Sequence, residues 1–165
     1  MIKAINVKKF LVFLLSVAIP LVVGGLSTLI TGDIEGVYDS MQQPSFAPPA
    51  QVFPIVWGIL YTLLGISLFL VIKNGIDKPG VRDAIFYYAI SLVLNLLWTP
   101  IFFRWNLILL AAIWLVAMII FAVITAYKFY NINKLAGALM VPYIIWLLFA
   151  LALNIGYYFL NGPTL

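Results

Sequence analysis

The chain has 165 residues, of which 65% are hydrophobic and 8% charged, and its formal net charge is +4. Because a soluble domain is about a quarter charged, this composition cannot coat a water-facing surface. The basic residues flank apolar segments and form no stripe, so we predict no nucleic-acid partner. Cysteine and histidine are absent, which excludes disulfides, thiolate nucleophiles, most zinc sites and the usual haem ligands. We predict no cofactor and no metal.

The chain contains long apolar segments that are each typical of a transmembrane helix. They lie at about residues 10–29, 52–72, 84–103, 107–127 and 135–160. Since about 20 apolar residues cross a bilayer core as a helix, five such segments leave no room for a second domain. We predict an all-α, polytopic membrane protein that forms one domain over residues 1–165. It is a bundle of five transmembrane helices with a long loop between the first two.

The first segment could instead be a cleavable signal peptide, since Lys8 and Lys9 give it a basic start. Its apolar stretch is longer than that of most signal peptides, and no clear cleavage site follows. We therefore predict a retained helix. Within it, Gly24, Gly25 and Thr28 form a small face where another helix can approach closely.

The connection 31–51 is the longest between two segments, and it contains acidic but no basic residues. Its three prolines rule out a continuous helix. Tyr38, Met41 and Phe46 make it too apolar for a tether in water. We predict a loop that packs onto the helix bundle.

The distribution of basic residues predicts the orientation in the membrane. Eight of the nine lysines and arginines lie on one side if the segments are threaded in order. They are Lys3, Lys8, Lys9, Lys73, Lys78, Arg82, Lys128 and Lys134. Since short cytoplasmic loops are rich in Lys and Arg, we predict a cell-membrane protein with a cytoplasmic N-terminus and an external C-terminus.

Three of the predicted helices carry a face that mixes large aromatic side chains with a few neutral polar groups. These faces are Trp57, Tyr61, Leu64 and Leu68; Ser91, Asn95, Trp98 and Phe102; and Trp146, Ala150, Leu153 and Tyr157. Trp and Tyr also gather at membrane interfaces, so some of these side chains could be interfacial residues instead.

Asn95 lies well inside its segment. An unpaired amide that faces hydrocarbon costs several kcal/mol, so this side chain must face the interior of the bundle. It could make a helix–helix hydrogen bond or contact a ligand, and the sequence leaves both open. Pro100 and Pro142 are expected to kink their helices, which could widen a cavity. A face of the fourth helix with Trp114 and Met118 is interpreted as packing or a subunit contact.

No catalytic constellation is predicted. None of the five acidic residues lies inside an apolar segment, and no lysine lies deep in one. Conventional hydrolysis or acid–base catalysis therefore lacks its usual groups. Ion conduction lacks a ring of charge or a carbonyl filter motif. Five segments without an internal repeat also argue against an inverted-repeat transporter.

The order of the motifs resembles that of the TspO/MBR family, the bacterial relatives of the translocator protein or peripheral benzodiazepine receptor. The likeness covers about residues 20–160. The motifs are Tyr38 with QQPSFAPP and VFPIVWGILY; Asn95, Trp98 and IFF; and Pro142-Tyr143, Trp146, Phe149-Ala150 and Leu153-Asn154.

The resemblance implies a five-helix bundle with a pocket beneath the first long loop that binds porphyrins, sterols and other flat apolar ligands. It implies that the following residues lie around the ligand: Tyr38, Pro48, Trp57, Tyr61, Asn95, Trp98, Trp146 and Ala150. It also implies that Trp57 and Trp146 take part in a light-dependent breakdown of protoporphyrin. The loop departs from the family pattern at Gln43, Phe46 and Ala47, and no basic residue follows Tyr157 or Tyr158. The sterol motif of the mammalian relatives is therefore not carried over.

Three functions remain open. The first is a receptor or sensor with an aromatic cavity between the second, third and fifth helices, where Asn95 orients a porphyrin and the loop closes the mouth. Any photo-oxidative degradation would use the reactivity of the excited porphyrin. The alternative is a small membrane transporter of tetrapyrrole or sterol-like ligands. The third is a scaffold, and Gly24, Gly25 and the apolar fourth helix favour a homodimer in the lipid bilayer.

Overall fold

A computed structural model of the chain describes residues 7–163. Lys3, which the orientation prediction used, lies outside the described residues. The helices are α1 (Val7–Thr31), α2 (Ile34–Ser40), α3 (Val52–Ile72), α4 (Val81–Thr99), α5 (Ile108–Ile132), α6 (Lys134–Leu139) and α7 (Val141–Asn161). A π-helical turn at Pro100–Arg104 continues α4.

Five spans are long and apolar enough to cross a membrane, which confirms the predicted all-α architecture. They are α1, α3, α4 with its π-helical turn, α5, and α6 together with α7. The predicted first, third and fourth segments are each a few residues too short. The helices extend beyond the apolar segments, before the first one at Lys8 and after the fourth one at Lys128. Backbone hydrogen bonds continue there although the side chains are polar.

The spans form a ring in the order α1, α3, α6–α7, α5 and α4, since each packs on the next and α1 also packs on α4. The backbones of α1 and α3 approach each other closely. A Cβ atom built on Gly65 would lie 2.4 Å from the Cα atom of Val17, so no side chain fits there. On the other side of α3, the Ser67 hydroxyl donates to the Ala136 carbonyl at 2.7 Å and joins α3 to α6.

Pro100 produces the predicted kink as a π-helical turn. Proline has no N–H, so the carbonyl of Leu96 loses its partner within the helix. The Ser27 hydroxyl of α1 donates to this carbonyl at 2.8 Å. The Trp105 N–H then bonds the Pro100 carbonyl at 2.9 Å, which closes the wider turn. The turn therefore connects α4 to α1 and buries Phe102 and Phe103 at the end of the bundle.

Pro142 confirms the predicted interruption of the fifth span. The span consists of two helices, because α6 ends at Leu139 and α7 begins at Val141. Pro142 occupies the first turn of α7, where its missing N–H has no cost. The Met140 N–H closes the junction on the Gly137 carbonyl at 3.1 Å.

The loop 31–51 packs on the bundle as predicted, but it also contains α2. Asp33 caps this short helix by accepting a hydrogen bond from the Gly36 N–H at 2.9 Å. Tyr38 is buried, and its hydroxyl donates to the Pro48 carbonyl at 2.6 Å. The loop is also bonded to α7, since the Asn161 side chain exchanges hydrogen bonds of 2.9 and 3.0 Å with the Gln42 backbone.

The face of α5 that carries Trp114 and Met118 packs inside the bundle. Trp114 Nε1 donates to the Leu94 carbonyl of α4 at 2.8 Å, and Met118 is fully buried. The hydroxyls of Thr125 and Ser91 lie 3.2 Å apart. Of the two interpretations of this face, intramolecular packing is the one that the structure supports.

Candidate ligand-binding site

Asn95 lies at the centre of a hydrogen-bonded link between three helices. Its side chain is 2% exposed. Its Oδ1 atom accepts from the Tyr61 hydroxyl of α3 at 2.8 Å, and its Nδ2 atom donates to the Tyr143 hydroxyl of α7 at 3.0 Å. The predicted helix–helix hydrogen bond is therefore present on both sides of the amide.

A cavity of about 540 Å³, hereafter the large cavity, lies between α1, α3 and α4 beneath α2. Six aromatic side chains line it: Tyr38, Phe53, Trp57, Tyr61, Trp98 and Phe103. Its neutral polar groups include Ser27, Thr28 and Thr99, while Glu35 and Gln51 stand at the exposed rim. This combination of aromatic walls and few polar groups is typical of small-molecule sites.

Glycines on two facing helices leave the space that the large cavity occupies. A Cβ atom on Gly25 of α1 or Gly58 of α3 would meet no atom within 4 Å. Gly24 differs, because the ring of Tyr61 would lie 2.2 Å from its Cβ atom. The predicted close approach at the small face of α1 is thus confirmed at Gly24, whereas open space lies at Gly25.

A second cavity of about 20 Å³, hereafter the small cavity, lies between α3, α7 and the π-helical turn. Its lining is Tyr38, Phe53, Trp57, Trp98, Phe102, Phe103, Trp146, Ala150, Leu153, Asn154 and Tyr157. Trp57 and Trp146 meet here edge to face, with ring centroids 6.5 Å apart. Trp57 is also stacked on Tyr61, with 5.2 Å between the ring centroids.

The structure brings most of the predicted site residues together around the two cavities. Tyr38, Trp57 and Trp98 line both, Tyr61 lines the large one, and Trp146 and Ala150 line the small one. Asn95 and Pro48 are in the lining of neither. They act on lining residues instead, since Asn95 bonds Tyr61 and the Pro48 carbonyl bonds Tyr38.

The ligand cavity was predicted between the second, third and fifth spans, which are α3, α4 and α7. The small cavity lies there, and the large cavity does not. The large cavity lies between the first three spans because the glycines of α1 and α3 leave space there. Phe53, Gly58 and Phe103 also line the cavities but are not among the residues predicted for the site. Phe53 and Gly58 could have been found from helical spacing, since Phe53 lies four residues before Trp57 and Gly58 lies three residues before Tyr61.

Five apolar spans, three of which enclose an aromatic-lined cavity, define a multi-pass membrane protein with a pocket in its helix bundle. The sequence profile of the TspO/MBR family matches residues 16–160, and the chain belongs to this family.

Relatives from several organisms agree with this assignment. The tryptophan-rich protein TspO of Chlorobaculum tepidum is 35% identical over 148 residues, which cover 89% of this chain and 94% of the relative. Protein CrtK of Rhodobacter capsulatus is 34% identical over 75% of this chain and 78% of its own. The human translocator protein is 35% identical over 71% of this chain and 70% of its own.

Proposed function

We propose that this protein is a membrane receptor or sensor that binds porphyrins and other flat apolar ligands in the large cavity. The observation that carries the proposal is a cavity of about 540 Å³ lined by six aromatic side chains. Its volume falls in the range of about 300–1,000 Å³ that small-molecule pockets occupy. The charge on the rim, Glu35, lies in an exposed part of the loop.

The aromatic walls suit a flat ligand because ring faces favour stacked contact. Each well-placed aromatic pair contributes about 0.5–1.5 kcal/mol beyond the burial of its area. Trp57 is held by its stack on Tyr61, and Tyr61 is held by Asn95. Through this chain of contacts, Asn95 would fix the stacking wall of the pocket. Because the chain has no histidine or cysteine, a metal-free porphyrin fits it better than axially ligated haem.

The same geometry supports a light-dependent degradation of bound porphyrin. The ring centroids of Trp57 and Trp146 are 6.5 Å apart, so both indoles would lie close to a ligand that contacts Trp57. The excited porphyrin would accept an electron from one of the two indoles, which are the candidate donors, and dissolved dioxygen would be the oxidant that opens the ring.

The test is a titration of purified protein with protoporphyrin, followed by tryptophan fluorescence quenching and by bleaching under light. Trp57→Phe should weaken binding about twofold to twelvefold, since it removes part of one stacking face. Trp57→Phe and Trp146→Phe should both slow bleaching. Trp105→Phe is the matched control, because Trp105 is exposed and lines neither cavity. Unchanged affinity and bleaching in both cavity variants would contradict the proposal.

A second candidate is a carrier of such ligands. Leu21 of α1 lines the large cavity and is 40% exposed, which suits an opening of the cavity toward the lipid. A ligand could enter sideways from the bilayer. Several relatives are named translocator proteins. Uptake of porphyrin into proteoliposomes along a gradient, lost in Gly58→Leu, would favour the carrier, and binding without uptake would favour the receptor.

A further inference from the structure

The small cavity contains buried polar atoms that have no hydrogen-bond partner among the described residues. Asn154 is 1% exposed, and neither its Oδ1 nor its Nδ2 atom is bonded. The Nε1 atom of Trp98 is also buried without a partner among these residues. Both side chains line this cavity. Buried side-chain amides are nearly always hydrogen-bonded in native proteins, so a fully unpaired one points to a bound group.

The size of the small cavity limits what this group can be. Its volume is about 20 Å³, and a single water-sized group needs about 10–15 Å³ measured in this way. The small cavity therefore has room for one oxygen atom at the end of a short substituent, and it has no room for a ring.

The chemistry of the lining selects an uncharged acceptor. The Trp98 Nε1–H is a donor only, and the Asn154 Nδ2 group supplies two more donor hydrogens. None of the described residues that line the cavity carries a charge. A carboxylate would lose its hydration there without gaining a cation, whereas a neutral carbonyl or hydroxyl oxygen would gain hydrogen bonds at little cost.

The small cavity adjoins the large one. Both cavities are lined by Tyr38, Phe53, Trp57, Trp98 and Phe103, so the two spaces meet along these shared side chains. A ring in the large cavity would lie against them. A short substituent on its edge would then point toward Asn154.

We infer that the small cavity is a polar subsite in which Asn154 and Trp98 bind a neutral carbonyl or hydroxyl oxygen on the ligand. This inference rests on the proposed function, because it assumes a ring bound in the large cavity. The subsite makes the protein selective: among flat apolar ligands of the same skeleton, those with a neutral oxygen acceptor bind more tightly than those without one.

The test compares matched ligands on the full-length protein. Mesoporphyrin dimethyl ester has carbonyl oxygens on its side chains, whereas etioporphyrin has the same ring with alkyl groups only. The wild-type protein should bind the ester more tightly. Asn154→Leu keeps the branched shape of the side chain and removes its polar atoms, and Trp98→Phe removes the indole N–H. Each should weaken the ester about fivefold, in line with the loss of one hydrogen bond. In Asn154→Leu, the affinity for etioporphyrin should change less than twofold.

An equal loss for both porphyrins in Asn154→Leu would show that Asn154 has a structural role and would overturn the inference. An unchanged affinity for the ester would overturn it as well. A structure of the complex with the ester outside the small cavity and water inside would assign the site to water and reject the ligand subsite.

A second pair of ligands separates this inference from the proposed porphyrin function. Fluorenone and fluorene share a flat tricyclic skeleton and differ in one ketone. If the wild-type protein binds neither porphyrin, the porphyrin proposal fails, but the subsite still predicts a preference for fluorenone that Asn154→Leu abolishes. If the protein binds fluorene as tightly as fluorenone, or binds neither, the inference fails.

Discussion

The two ends of the helix bundle use the same residue types for opposite purposes. At the end away from the loop, Gly65 lets the backbones of α1 and α3 come into contact, and a Cβ atom there would lie 2.4 Å from Val17. Ser67 bonds across to Ala136, and Tyr88 is stacked on Phe129. This half is closely packed.

At the loop end, small residues leave space instead. Gly25 and Gly58 face no atom within 4 Å, and the aromatic side chains around them do not fill the gap. At this end α3 packs less on α7 than it does on α6 at the other, and the Trp57 and Trp146 rings lie between α3 and α7 with their centroids 6.5 Å apart. A glycine in a membrane helix therefore indicates close packing or a cavity according to what its neighbours place opposite it.

The largest effect on stability is expected from adding one methyl group at Gly65, and the same change at Gly25 of the loop end is the comparison. Gly65→Ala should destabilise the protein by about 3 kcal/mol, because backbone atoms of α1 must move to admit the Cβ atom. Gly25→Ala should be neutral or slightly stabilising, since alanine has the higher helix propensity and meets open space. Thermal unfolding in detergent would measure both. Equal shifts in the two Tm values would remove the contrast between the ends.

The hydrogen bonds of Asn95 tie α4 to helices on two sides, and their loss should have an intermediate effect. Asn95→Leu should cost about 2 kcal/mol, because it leaves the hydroxyls of Tyr61 and Tyr143 buried without partners. Tyr61→Phe and Tyr143→Phe should each cost less, about 0.6–1.7 kcal/mol. Unfolding in mixed micelles would measure these values. A single tyrosine variant as damaging as Asn95→Leu would show that the amide does not act as a two-sided link.

The smallest effect on global stability is expected at the loop. Asn161→Ala removes two exposed hydrogen bonds to the Gln42 backbone and should lower stability by about 0.5 kcal/mol. Cleavage of residues 31–51 by a protease should nevertheless become several times faster, since local opening needs less free energy. Asn74→Ala is the control, because the Asn74 side chain donates to the Leu70 carbonyl of α3 at the opposite end of the bundle. Equal cleavage rates in both variants would show that Asn161 does not hold the loop.

Several features of the fold follow directly from the sequence. The length of each apolar segment fixed the number of spans, because a helix must cross a bilayer core of set thickness. The three prolines of the loop and Pro142 interrupted helices where they were expected to. Asn95 had to face inward because hydrocarbon cannot satisfy an amide. The predicted orientation, with a cytoplasmic N-terminus, and the predicted homodimer stay predictions.

The position of the large cavity depended on the tertiary structure alone. Helical periodicity shows which face of a span is internal, but it does not show which neighbour that face meets, since apolar helices in lipid have many possible partners. The order of the helices around the bundle placed Gly25 and Gly58 in the lining of one cavity and left Asn95 outside the lining of both. The sequence thus determined which side chains point into the bundle. Packing between distant segments decided where those side chains fill space and where they leave it open, because close packing is a property of neighbours and not of one helix.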